Sequence, residues 1–202
     1  MINVANVVSV SRVILGLGAI ALLWLPDEQY RWIAFGVTAF VIYADALDGF
    51  LARKLNLTSK FGGILDIASD RAVEMSYWVG YCALGWIPVW VPILYIIRGT
   101  FVDAIRSFAS TEGYTAFGAK TMMQSSLGKF LVTSNFSRFS YAVAKAVAFC
   151  LLIAGHTAVG ARYGIYPVAM FFVYFSCAFC VIRGLPVLLE SDFLFRSSPS
   201  QP

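Results

Sequence analysis

The sequence predicts an all-α polytopic membrane protein, with six transmembrane helices and a polar cleft that faces the cytoplasm. Three observations predict it. Of 202 residues, 59% are hydrophobic and 13% charged, and mean hydropathy is +0.76; a soluble domain usually carries about twice that charged fraction. The apolar residues gather in runs near or beyond the roughly 18 residues that cross a bilayer as a helix. Within or beside those runs stand Asp45, Asp48, Asp66 and Asp70. Ionised groups there are costly without a partner, so they mark a functional site.

The elements follow in order. Met1 to Ser11 is mildly amphipathic and reads as an interfacial lead-in. Span one runs from about Val7 to Leu25, and Pro26-Asp27-Glu28-Gln29 turns the chain. Only Arg12 lies near its start and no small-residue cleavage site follows, so it reads as a retained helix. Span two covers about Trp32 to Leu51, and a connector from Lys54 to Phe61 leads into span three, about Gly62 to Leu84. Gly85-Trp86-Ile87-Pro88 is the next turn, and span four continues to about Ile105. A polar region from Arg106 to Phe139 is punctuated by Gly113, Gly118 and Gly128; part of it could extend span four or open span five. Span five is about Tyr141 to Ala154 and span six about Ile165 to Leu189. Residues 1–190 read as a single membrane domain, and 191–202 as a polar, disordered tail.

Charge placement orients the bundle. Six spans put both termini on one side. With that side cytoplasmic, Arg31 and Arg162 are the basic residues nearest the outside, as the positive-inside rule requires. Trp24, Trp32, Trp86 and Trp90 then read as interfacial anchors. His156 reads as an exposed loop residue, and Cys82, Cys150, Cys177 and Cys180 as small buried apolar groups. A net charge of +4 without a basic, aromatic-rich tract excludes nucleic acid as a partner.

At about 100° per residue, Asp45, Asp48, Gly49 and Ala52 share one arc of span two, with Arg53 beside it. Gly62, Asp66 and Asp70 recur every four residues on span three. Two helices thus offer carboxylate pairs to a common cleft. All-oxygen ligands suit Mg²⁺ or Mn²⁺ and not zinc. Four carboxylates are enough for two divalent ions about 4 Å apart, a clamp for phosphate oxygens. Gly49 and Ala52 leave the acidic face uncovered. Arg53 suits a phosphate or base edge in a fork that lysine would not reproduce.

The pattern Asp45-x2-Asp48-Gly49-x2-Ala52-Arg53-x8-Gly62-x3-Asp66-x3-Asp70 resembles the signature of the CDP-alcohol phosphatidyltransferase family at every fixed position. The resemblance implies transfer of a phosphatidyl group from CDP-diacylglycerol to an acceptor hydroxyl, with release of CMP. It implies that Asp45, Asp48, Asp66 and Asp70 ligand two divalent ions and that Asp70 also takes the hydroxyl proton. It assigns Gly49, Ala52, Arg53, Ser59 and Gly62 to the CDP-lipid. Asn6-x2-Ser9-x2-Arg12 resembles the family's lead-in beside the nucleotide and pyrophosphate, although Ala5 replaces the usual proline. A homodimer is implied too.

The acceptor lies outside this pattern. Arg98, Arg106, Lys129, Arg138, Lys145 and Arg183 suit an alcohol that carries its own phosphate. Arg98-x7-Arg106 resembles a feature of glycerol-phosphate-using members, with Gly99 where a glutamate is common. Glycerol 3-phosphate is the preferred reading, ahead of inositol phosphate, inositol and serine. Arg183 reads equally as an acceptor ligand or a snorkelling arginine. Glu74 reads as the partner of an intramembrane arginine. The rivals are a structural ion-pair network of the aspartates with Arg53, Lys54 and Arg71, an intramembrane prenyltransferase, and a cation transporter.

Overall fold

The computed structural model describes residues 4–54, 60–111, 113–114 and 121–191, and the side chains among them except at 4–6, 46–54 and 60–61. Among the described residues the chain is all helix, without strands. In order these are α1 (Val4–Leu22), α2 (Glu28–Lys54), α3 (Lys60–Ala83), α4 (Trp90–Thr111), α5 (Ser126–Thr133), α6 (Asn135–Gly155), α7 (Ala158–Tyr163) and α8 (Ile165–Leu189). Of these, α6 and α8 are long and apolar enough to cross a membrane, and Val7–Leu22 is a shorter apolar stretch.

Helix ends follow local chemistry. α3 stops at Gly85, whose φ of 73° lets the Trp86 N–H reach back to the Tyr81 carbonyl at 2.9 Å. α4 stops in the same way at Gly113, with Tyr114 N–H on the Ala109 carbonyl at 2.9 Å. The polar region expected between spans four and five both extends α4 to Thr111 and contains α5. Ser125 caps α5 by accepting from the Gly128 N–H at 2.8 Å. A short helix not expected from the sequence, α7, lies between α6 and α8, capped by Thr157 and closed by Gly164.

The chain divides into two compact units, Met1–Pro92 with Ala146–Phe171, and Ile93–Lys145 with Phe172–Pro202. In the first unit α1 packs on α2 and α3. Its core is aromatic: the Phe149 ring lies 5.0 Å from Tyr77 and 4.7 Å from Trp78, and the Tyr81 hydroxyl donates to the Phe149 carbonyl at 3.0 Å. Thr38, fully buried, shares a 2.8 Å hydrogen bond with the Tyr77 hydroxyl, so neither polar group is left bare. The second unit has its own core of Val102, Ala109, Met122, Met123, Val132 and Val187. There the Glu190 carboxylate accepts from Gln124 N–H at 2.6 Å and Ser125 N–H at 3.0 Å, complementing the positive end of α5. Gly128 is what allows this, because a Cβ there would collide with that carboxylate.

Two expectations are corrected in the first unit. Trp86 is buried, whereas Trp24, Trp32 and Trp90 are exposed as interfacial anchors would be. His156 does sit in a loop, but it is half-buried: its ring stacks on Trp86 at 3.9 Å and meets Tyr166 edge-on at 5.1 Å. The cause is a polar clasp around the turn. His156 Nδ1 lies 2.8 Å from the Leu152 carbonyl, Arg31 donates to the His156 carbonyl at 2.5 Å, and the Tyr166 hydroxyl donates to the Trp86 carbonyl at 2.9 Å.

Burial lowers the His156 pKa below 6.5; the Leu152 hydrogen bond opposes this and the Arg31 charge adds to it. The fold therefore favours neutral imidazole, and the unfolded chain takes up the proton first as pH falls. The stability from this site is complete above 6.5 and is lost as pH drops through the lower folded value. The melting temperature in detergent is expected to decline below pH 6.5 in wild type and with a shallower slope in His156→Gln. Equal slopes would show that this histidine does not couple to folding.

Candidate active site

Three helices of the first unit build the acidic site. α2 carries Asp45; α3 carries Asp66 and Asp70 about one turn apart, hence on one face. Each is half-buried, and their carboxylate oxygens come within 4.8 Å of one another. Three like charges this close need a cation. α1 provides one: Arg12, 4% exposed, places Nη2 2.5 Å from Asp45 Oδ1 and 2.6 Å from Asp70 Oδ1, with Nη1 3.5 Å from Asp66 Oδ1. Ser9, one turn earlier on α1 and buried, hydrogen-bonds the Asp66 carboxylate. Asp45, Asp66, Asp70 and Ser9 are thus brought together as one site.

The arginine that neutralises the cluster is not among those anticipated for an ion-pair network. Arg71 instead pairs with buried Glu74 at 2.7 Å, an arginine partner of the kind expected for that glutamate. Arg12 was legible as part of the Asn6–Ser9–Arg12 lead-in but not as a neighbour of the aspartates. Its spacing of three from Ser9 was the available signal, since it puts both on one face.

Asp48, Gly49, Ala52 and Arg53 lie on α2 and Asn6 on α1, with their side chains outside the described residues; Ser59 lies outside them altogether. Gly62 lies on α3 and is half-exposed. Cys82, Cys150, Cys177 and Cys180 are free thiols; Cys177 and Cys180 are buried as expected, whereas Cys82 and Cys150 are only half-buried.

The second unit gathers basic groups around Tyr141. The guanidinium carbons of Arg98 and Arg183 lie 5.9 and 5.7 Å from its ring centre, and Lys145 Nζ lies 4.4 Å away. Arg98 and Arg183 are buried, Arg106 is half-buried, and Lys129 and Arg138 are exposed. Arg183 is not snorkelling. Its Nη1 donates to the Leu131 carbonyl at 2.8 Å and to Ser137 Oγ at 2.5 Å, and Nη2 to the Val132 carbonyl at 3.3 Å, so it caps the end of α5. The Nε of Arg98, like that of Arg183, is buried without a hydrogen-bond partner among the described residues. Gly184 lets it sit close, as a Cβ there would meet Arg98 Cγ at 3.0 Å. Tyr141 and Ser137 had no signal in the sequence beyond their neighbourhood.

The sequence model of the CDP-alcohol phosphatidyltransferase family matches residues 2–182, nearly the whole chain. The chain belongs to that family. Among its relatives, a CDP-diacylglycerol–glycerol-3-phosphate 3-phosphatidyltransferase of Pseudomonas fluorescens is 31% identical over 166 residues, 77% of this chain and 84% of that protein. A probable phosphatidylglycerophosphate synthase of Mycobacterium tuberculosis is 27% identical over 107 residues, 52% of this chain and 51% of its own. A cardiolipin synthase (CMP-forming) of Streptomyces coelicolor is 29% identical over 121 residues, 56% and 54% respectively. The chain is therefore a CDP-alcohol phosphatidyltransferase, a membrane enzyme of phospholipid synthesis. The transferase's three clustered carboxylates offer only oxygen donors, so the site fits a hard divalent cation.

Proposed function

We propose that this transferase moves the phosphatidyl group of CDP-diacylglycerol to glycerol 3-phosphate and releases CMP. The observation that carries the reading is the convergence of Asp45, Asp66 and Asp70 from two helices, in a chain the family model covers almost end to end. The relatives named for glycerol 3-phosphate support the acceptor. Asp45, Asp48, Asp66 and Asp70 would hold two ions, Mg²⁺ or Mn²⁺. When bound, such ions neutralise the diphosphate and the charge that builds on departing CMP. Asn6, Ser9, Gly49, Ala52, Arg53, Ser59 and Gly62 are assigned to the CDP-lipid.

The chain's own part in the reaction is positioning and proton transfer. The acceptor oxygen bonds to the lipid-side phosphorus, the anhydride bond to CMP breaks, and the hydroxyl proton passes to Asp70. A neutral hydroxyl is a weak nucleophile, and a carboxylate within reach raises its reactivity. For the acceptor, Arg98 is the leading contact, with Arg106, Lys129, Arg138 and Arg183 in supporting places. Two buried guanidiniums against one ring repel each other, and a bound phosphate would relieve that.

In the membrane, the reading comprises six spans, a single domain over residues 1–190, and a polar tail at 191–202. Both termini and the acidic cleft face the cytoplasm in the cytoplasmic membrane, and the enzyme is a homodimer. The acyl chains then stay in lipid while the head group enters the cleft. Purified protein given CDP-diacylglycerol and labelled acceptors is expected to incorporate glycerol 3-phosphate with equimolar CMP. Incorporation of inositol phosphate, inositol or serine instead would overturn the acceptor. Cation flux in liposomes without CMP release would overturn the transferase reading in favour of a transporter.

A further inference from the structure

Arg12 stands on the very carboxylates that would receive the metal. Its Nη2 lies within hydrogen-bond distance of both Asp45 and Asp70, and its Nη1 lies 3.5 Å from Asp66 Oδ1. A guanidinium and a divalent ion compete for the same lone pairs, and in a partly buried site they also repel each other strongly. Joint occupation is therefore disfavoured. The side chain is 4% exposed, so it cannot move off into water without rearrangement. Its Nε has no hydrogen-bond partner among the described residues, and its Nη1 makes the long 3.5 Å ion pair with Asp66, so the guanidinium can offer donors to another ligand. A diphosphate fits a guanidinium fork better than two separate carboxylates do.

We propose that Arg12 is a tethered counter-cation that competes with divalent metal for Asp45, Asp66 and Asp70 and leaves them when the donor's diphosphate arrives. The proposal rests on the metal-binding part of the function given above and adds a regulation of that site. Held by Arg12, the carboxylates keep their charge balanced and their geometry fixed while metal is scarce. With the guanidinium drawn to phosphate, they become available to metal. Metal and donor then load cooperatively, and by linkage each raises the other's affinity by the same factor. Arg12 acts as a positioning residue, distinct from the proton-accepting role of Asp70.

The experiment is a Mn²⁺ titration of the purified full chain in detergent, read by electron paramagnetic resonance, without turnover. Arg12→Gln is expected to bind Mn²⁺ at least tenfold more tightly than wild type. Arg12→Lys, which keeps a charge but loses the fork, is expected to fall between them. CDP, corrected for its own Mn²⁺ binding, is expected to tighten wild type at least tenfold and Arg12→Gln by less than threefold. Equal or weaker Mn²⁺ binding by a folded Arg12→Gln overturns the proposal, and Arg12 then only orders the carboxylates. Should Arg12→Gln not fold, the Arg12→Lys comparison decides in the same direction, and unchanged affinity there overturns it. Asp45→Asn separates the two readings. Tight binding that this change leaves intact removes the metal site itself, whereas loss of binding with no effect of Arg12 removes only the competition.

Discussion

Asp70→Asn is expected to lower the single-turnover rate of CMP release by on the order of a thousandfold, measured at saturating divalent metal, where CDP-diacylglycerol binding changes by no more than a few-fold. The substitution keeps the size of the side chain and one carbonyl oxygen for the 2.6 Å contact with Arg12 Nη2. Arg12 also retains Asp45 at 2.5 Å, so the helices of the first unit stay bridged. What disappears is the negative charge that accepts a proton and the second carboxylate of the α3 pair. Loss of the base alone costs roughly two to four orders of magnitude, and a weakened metal site adds to it. The loss should fall on kcat, since the interaction removed belongs to the transition state. A variant that keeps its rate within tenfold would remove Asp70 as the base, leaving Asp45 or Asp66 to take that role. Far-ultraviolet circular dichroism on the same samples separates loss of chemistry from loss of fold.

The large features of this chain were legible because apolar helices and clustered acids both leave strong marks in sequence. Apolar runs located α1 to α4, α6 and α8 to within a few residues, except that α2 begins before the expected span and α4 and α6 extend into polar sequence. Those extensions were open from the sequence but without bounds, because Ser107, Ser110 and Ser137 do not favour helix on their own, while helix there is held by tertiary packing around Val102, Ala109 and Val132. α5 and α7 are too short for a period to emerge. They exist because Ser125 and Thr157 cap them, and in α5 because Glu190 and Arg183 satisfy its two ends. The acidic cluster was visible in its own spacing. Arg12 was not, since its contact with Asp70 joins residues 58 apart and depends on how α1 packs on α3. Trp86 read as an interfacial anchor and His156 as an exposed loop residue for a related reason: neither shows its stacking partner in the sequence.

The second large effect separates the two buried arginines near Tyr141. Arg98→Gln is expected to raise the KM for glycerol 3-phosphate by about ten- to a hundredfold, the worth of one charge-assisted hydrogen bond to phosphate, with the donor KM little altered. Arg183→Gln is expected to act on stability, lowering it by roughly 2–4 kcal/mol and depressing the melting temperature in detergent. The difference follows from where their donors point. Arg183 already uses Nη1 and Nη2 on the Leu131 and Val132 carbonyls and on Ser137, so its removal leaves the Leu131 carbonyl to Ser137 Oγ and takes the guanidinium from Val132. Arg98 faces the same ring at a similar distance, and its buried Nε, like that of Arg183, is without a partner among the described residues, while the contacts with the α5 carbonyls belong to Arg183. A buried guanidinium with unused donor capacity is expensive in an apolar setting unless an anion completes it. Bound glycerol 3-phosphate should accordingly raise the melting temperature of wild type and of Arg183→Gln, but not that of Arg98→Gln. The opposite pattern, with Arg183→Gln stable and impaired only for acceptor, would exchange the two roles. It would mean that α5 keeps its end without the arginine and that the phosphate draws Arg183 away from it.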